Sequence, residues 1–191
     1  MLMQLADFFK LLDPKNQLQP QQKVLIADTA RPVAIVKNHF LQHIGQTCRT
    51  IYYIQKGCTR VFYMLNEQEI TECFSFEGEL AVRFESLLTN APSRRAIQVL
   101  EDSEFLAFDM NKLDVVFTNQ PFIEAMFRRL FHAYHIQSIE RMENLQFKSA
   151  EERYHTLLTH YPDVIKRVPL KFIASYLGIT PVSLSRIRAL K

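Results

Sequence analysis

The chain has 191 residues, 48% of them hydrophobic and 23% charged, with a formal net charge of +3; such values describe an ordinary soluble globular protein of one large or two small domains. No apolar run reaches the roughly 18–20 residues that a bilayer-spanning helix needs, so no membrane partner is expected. The three cysteines, Cys48, Cys58 and Cys73, are far apart and form no Cys-x-x-Cys, which excludes a disulfide framework, a thiolate metal site and an iron–sulfur cluster.

The opening stretch, MLMQLADFFKLLDPK, has neither a basic start nor a small-residue cleavage site, so no signal peptide and a cytoplasmic location are expected. Leu5, Phe8, Phe9 and Leu12 recur at helical spacing, and Pro14 closes that helix. A Gln-rich stretch, NQLQPQQKVL, follows; it is too short to count as low-complexity sequence. From Ala34 to Asp109 short runs rich in Val, Ile, Tyr and Phe alternate with turn residues. Regular short strands with turns every 8–12 residues read as an all-β sandwich or barrel. Gly45 and Gly57 fall at turns that need positive φ.

Helical periodicity takes over from Asn111, and Pro121 suits the first turn of a helix of about 25 residues, roughly 40 Å long. Ile123, Phe127, Leu130 and Tyr134 make its stripe, continued by Ile139, Met142 and Leu145. A helix this long and this apolar needs a second subunit as well as its own domain, so a homodimer is expected. Charges at Leu130 or Tyr134 are expected to break it. Ser149-Ala150-Glu151-Glu152 forms a capping box that starts the next helix, and Pro162 closes that one.

The ending, VPLKFIASYLGITPVSLSRIRALK, reads as a helix-turn-helix. Leu170, Ile173, Ala174 and Leu177 make the buried stripe of the first helix, and Gly178 fits its left-handed stop. Thr180 is an N-cap and Pro181 a first helical residue; Leu184 and Ile187 hold the second helix on the first. At about 100° per residue the outward side carries Val182, Ser185, Arg186 and Ala189, with Ser183 at its margin. Arg186, at the centre of that side, suits guanine O6 and N7 in a major groove. Thr180, Ser183, Lys171 and Lys166 suit phosphate contacts, and Arg188, nearer the buried stripe, flanks them.

From Val164 to Lys191 there are six basic residues and no acid; since the whole chain nets +3, the remaining residues sum to −3. A basic end on a slightly acidic body points to an anionic partner, double-stranded DNA. No His-x-His or His-Glu-x-x-His occurs among the six histidines. His39 and His43, four residues apart on a strand, would stand about 13 Å from each other, too far to share one metal. Neither a metal site nor an enzymatic activity is expected.

RVPLKFIASYLGITPVSLSRIRALK resembles the DNA-binding end of the Crp/Fnr-type transcription regulators. IYYIQKGCTRVFY is similar to their strand-Gly-strand segment, and FEGELAVRFESLLTNAPSRRAIQVLEDSE to their phosphate-binding cassette and the strand after it. The resemblance covers nearly the whole chain. It implies an α+β architecture: an N-terminal β-roll of the cyclic-nucleotide-binding type (a double-stranded β-helix) over 1–120, a long dimerisation helix over 121–148, and an all-α helix-turn-helix domain over 149–191. It implies RNA polymerase as a further partner and cAMP as the type of effector. Gly78, Glu79, Leu80 and Ala81 match the first part of the cassette, Glu79 accepting from a ribose hydroxyl and the Leu80 and Ala81 amides facing phosphate. Arg94, next to Arg95, matches the phosphate partner.

Three departures stand out. Arg95 replaces a small hydroxyl residue, and Arg94 follows Glu79 by fifteen positions, with Arg83, Phe84 and Glu85 between them; a longer, bulkier loop argues for a degenerate cassette. Val182 stands where related sequences tend to carry Glu. The stop at Lys191 removes most of the two-stranded wing. The alternative reading is a small-molecule or cyclic-nucleotide sensor that acts through protein contact.

Overall fold

The computed structural model describes residues 2–189; Lys191, one of the basic residues counted above, lies outside the described residues. Two short helices, α1 (Ala6–Leu12) and α2 (Pro20–Ala27), precede eight strands: β1 (Ala30–Ile35), β2 (Phe40–Gln42), β3 (Thr50–Lys56), β4 (Thr59–Leu65), β5 (Gln68–Ser75), β6 (Leu80–Ala81), β7 (Arg95–Val99) and β8 (Ser103–Asp109). A short helix, α3 (Phe84–Thr89), lies between β6 and β7. The strands form two antiparallel sheets, ordered β1-β8-β3-β6 and β2-β7-β4-β5. Asn66 and Glu67 both take positive φ, 47° and 64°, between β4 and β5, the backbone of a tight hairpin turn whose twist matches its strands.

Alternation sorts the side chains into layers. Ile54, Val61, Ala81, Ile97, Val99 and Phe105 fill the space between the sheets. On the outer face of the first sheet, Ile51, Tyr53, Leu106 and Phe108 pack under α1, α2 and the long helix, with Phe8 against Phe108 at 4.4 Å between ring centroids. On the outer face of the second sheet, Phe74 joins Cys58, Phe76 and Leu100 beneath the C-terminal helices. Strand β4 is therefore buried on both faces over its first four residues.

The helices follow: α4 (Met110–Asn119), α5 (Pro121–Phe147), α6 (Ala150–His160), α7 (Val164–Arg167), α8 (Leu170–Leu177) and α9 (Pro181–Ala189). The Ser149 capping box forms as expected: Ser149 Oγ accepts from the Glu152 amide at 3.2 Å, and the Ser149 amide donates to Glu152 Oε2 at 2.7 Å. Gly178 ends α8 at φ +68°, and the Ile179 amide returns to the Ala174 carbonyl at 3.0 Å. The leading helix, the β-roll, the 27-residue α5 and the terminal helix pair match the architecture expected from sequence.

One expectation needs correction. Leu130 is buried and Tyr134 is half-buried against the chain's own roll; they belong to an internal face of α5, not to its outer one. A second face is uncovered: Phe122, Ile136 and Ile139 lie within a sector of about 100° and are 41%, 55% and 38% exposed. The Gln-rich stretch, left without an element, folds as α2, where the Gln19 amide donates to Gln22 Oε1 at 2.9 Å and Pro20 opens the helix.

Candidate nucleic-acid interface

Helix α9 is seated by Leu184, 1% exposed, and by the partly buried Ile187. That leaves Val182, Ser185, Arg186 and Ala189 facing outward, with Val182 62% exposed and Ser183 at the edge. The Ser183 amide donates to Thr180 Oγ1 at 3.1 Å, and the two hydroxyls lie 3.0 Å apart. Thr180 therefore caps the helix. Ser185 Oγ donates to the Pro181 carbonyl at 3.0 Å, which commits its proton and leaves its lone pairs outward. Pro181 is exposed at the helix start. Arg186 and Arg188 are exposed, and among the described residues neither makes an ion pair. Lys171 is exposed, its ammonium 4.8 Å from the Phe172 ring centroid.

Lys166 and Arg167, also of the basic end, are spent within the chain. Lys166 pairs with Asp163 at 2.8 Å. Arg167 binds Glu77 through both terminal nitrogens, at 2.9 and 2.6 Å, and also Glu101. Those carboxylates hold the Arg167 guanidinium well above its ordinary pKa. Burial opposes ionisation of Glu77, but the Arg167 hydrogen bond and the Gly57 amide outweigh it and hold its carboxyl low.

The cassette residues meet the chain's own groups. Gly78 turns at φ +84°, and its amide donates to the Ile54 carbonyl at 2.9 Å. Glu79 Oε1 accepts from the Tyr161 hydroxyl at 2.9 Å, and Oε2 from the Phe76 amide at 2.9 Å. Burial raises the Glu79 carboxyl above its ordinary value despite those two bonds. The Leu80 amide donates to the Tyr134 hydroxyl at 2.7 Å, and Ala81 is buried opposite Tyr52. Arg94 is exposed and stands apart from Glu79 and Leu80 in every bond described. Arg95 pairs with Glu72 and, at 3.5 Å, with Glu85. The buried Arg83 binds the same two carboxylates, at 3.2 and 2.9 Å. The Phe84 ring packs at a tilt against Phe131 and Tyr134, with centroids 5.0 and 5.8 Å away.

Two hollows lie elsewhere. A groove of about 800 Å³ runs between α1 and α2 over Phe9, Pro14, Pro20 and Val24. One of about 340 Å³ lies beside Tyr53, Gln55, Glu77 and Gly78. Neither is lined by Glu79, Arg94 or Arg95. No three His, Cys, Asp or Glu among the described residues could share a metal ion. Burial pushes the Cys58 thiol up to about 12, so it is no thiolate at neutral pH.

No protein-family model and no curated protein matches this sequence. Its shape, however, matches solved structures over most of their length. FixK2 from Bradyrhizobium japonicum aligns with a TM-score of 0.74 at 16% identity, over 84% of this chain and 83% of that one. A Crp/Fnr-family protein from Eubacterium rectale aligns at 0.71 and 17% identity, over 93% and 85%. The c-di-GMP-responsive global regulator CLP of Xanthomonas campestris aligns at 0.67 and 12%, over 88% and 89%. The fold is that of the Crp/Fnr regulators. At these identities the Crp/Fnr fold is what the likeness carries.

Sequence reading missed the residues that join the two ends of this Crp/Fnr fold: Arg60, Tyr161 and Arg167. A signal was present. From Glu67 to Glu85 there are six glutamates and one arginine, an acidic patch fit to receive part of the basic end.

Proposed function

We propose that this chain is a homodimeric, sequence-specific DNA-binding regulator of transcription and a member of the Crp/Fnr family, with a degenerate nucleotide cassette. The observation that carries the reading is α9: a capped helix whose outward face holds Arg186 with no ion-pair partner among the described residues, flanked by Val182, Ser185 and the small Thr180-Pro181 entry. Such a face can enter a major groove, with Arg186 on a base edge and Lys171, Thr180, Ser183 and Arg188 on phosphates. Val182 offers only an apolar contact, so base preference at its position is relaxed. Residues 1–120 form the effector-type domain, 121–148 the dimerisation helix and 149–191 the DNA-reading domain. The free apolar sector of α5 supports the dimer, because a second copy of the same helix covers it. RNA polymerase is the partner through which such a regulator acts, in the cytoplasm.

Degeneracy rests on occupied groups. Glu79 and the Leu80 amide, which would meet a ribose and a phosphate, are bonded to Tyr161 and Tyr134. Calorimetry with cAMP and cGMP is expected to give no heat at micromolar concentrations; binding that is lost in Arg94→Ala overturns the degenerate cassette. DNA selected from a random pool by the purified protein supplies the operator. On it, Arg186→Ala is expected to weaken binding by roughly 1–3 kcal/mol and to level the ratio of operator to random DNA. Equal loss on both DNAs would make Arg186 a phosphate contact only.

A further inference from the structure

The C-terminal helices are not tethered loosely to the β-roll. Their core is continuous with it: Cys58, Phe74, Phe76 and Leu100 of the roll bury against Tyr154, Leu157, Val164, Ile173 and Leu177. Polar contacts stand around that core. Under α8, the Arg60 side chain is 2% exposed and its guanidinium carbon lies 3.5 Å from the Phe172 ring centroid and 4.3 Å from that of Phe62. Its Nε donates to Gln98 Oε1 at 2.8 Å and its Nη2 pairs with Glu69. A guanidinium sandwiched between two rings fixes both planes at once. Beside it the edge strand β5 is capped: the Thr71 amide donates to Ser175 Oγ at 2.9 Å, and Ser175 Oγ donates to the Glu69 carbonyl at 3.2 Å. Arg141 of α5 binds the Tyr176 carbonyl at the end of α8. At the other edge, Tyr161 and Arg167 grip Glu77, Glu79 and Glu101.

We propose that the helix-turn-helix is an intramolecular ligand of the roll, with Arg60 as its positioning residue, so that the reading helix keeps one orientation without a diffusible effector. This deepens the reading above, on which it relies for what α9 presents. The physical reason is that any rotation of the module must separate a shared apolar core and take the Phe172 ring off the Arg60 guanidinium, whose Nη1 lacks a hydrogen-bond partner among the described residues. An effector entering at Glu79 would have to displace Tyr161 first.

Spin labels at Val36→Cys and Thr159→Cys, both exposed, test the proposal by their mutual distance. In labelled protein diluted with an excess of unlabelled chain, so that only the within-chain distance is read, one narrow distribution is expected, unchanged by saturating cAMP or cGMP. In Arg60→Met combined with Tyr161→Phe and Arg167→Gln it is expected to broaden. If the released module is competent about a tenth of the time, operator affinity falls about tenfold. A broad wild-type distribution, a peak that moves with cyclic nucleotide, or an unchanged peak in the triple variant overturns the proposal. Should the triple variant unfold, Ser175→Ala decides: faster hydrogen exchange at the Thr71 amide supports it, and an unchanged rate overturns it. A narrow peak in a protein that ignores duplex DNA supports the docking and overturns the DNA reading alone.

Discussion

Gly57 shows how much one position can carry. It turns at φ +103°, and a Cβ there would stand 1.9 Å from Ser103 Oγ and 2.9 Å from Ser103 Cα. Its place at a turn was legible from sequence; the approach of β8, 46 positions further on, was not. Gly57→Ala is expected to cost about 3 kcal/mol or more in a urea titration, because both the backbone region and the space are forbidden; a loss below about 1 kcal/mol would contradict both arguments. Glu77 and Glu79, two residues apart, titrate in opposite senses. The Glu77 carboxyl is held low in the fold, so its contribution is present above the unfolded value and is lost as pH falls through the folded one. The Glu79 carboxyl is raised, so its contribution is complete below the unfolded value and shrinks as pH rises through the folded one. Replacing Arg167 by Gln is expected to flatten the acid limb of stability against pH, read as urea midpoints from pH 5 down to pH 3. A slope equal to wild type would show that the pair does not hold the module.

Among the elements, α5 divides its surface. Ile123, Met126, Phe127 and Leu130 face the roll, while Phe122, Ile136 and Ile139 face away. The broad stripe read from sequence merged the two faces, because at 3.6 residues per turn a wide apolar sector looks the same whether one or two partners cover it. Ile136→Glu with Ile139→Glu is expected to halve the mass in light scattering while leaving the circular dichroism intact. An unchanged mass would show that this face is not the dimer contact. Leu130→Glu, by contrast, is expected to unfold the roll by several kcal/mol, since it buries a charge. Strands β3, β4, β5, β7 and β8 were legible as β-branched and aromatic runs between turns. Strands β2 and β6, three and two residues long, are too short to display a period. Helix α3, set inside the cassette, has no pattern of its own beyond two leucines and a phenylalanine.

At the scale of the molecule, three apolar layers stack in the order helices, sheet, sheet, helices, and the two sheets share side chains with all of them. The same arrangement recurs in the Crp/Fnr regulators at 12–17% identity, a level at which layer volume and pattern persist while individual contacts change. In this chain the acidic loop is closed by its own C-terminal segment.

Sequence alone determined the leading helix, five of the strands, the long helix and the terminal helix pair, together with the Ser149 and Thr180 caps, the glycine turns and the outward side of α9, since each depends on neighbours within one or two turns of chain. Only the tertiary structure decided that Glu79 meets Tyr161, that Arg167 meets Glu77, and that Arg60 lies beneath Phe172, pairs 82, 90 and 112 positions apart. A local pattern states which side chains are apolar or charged, but the partner of a buried charge is set by which layers stack on which, and no short stretch of chain encodes that.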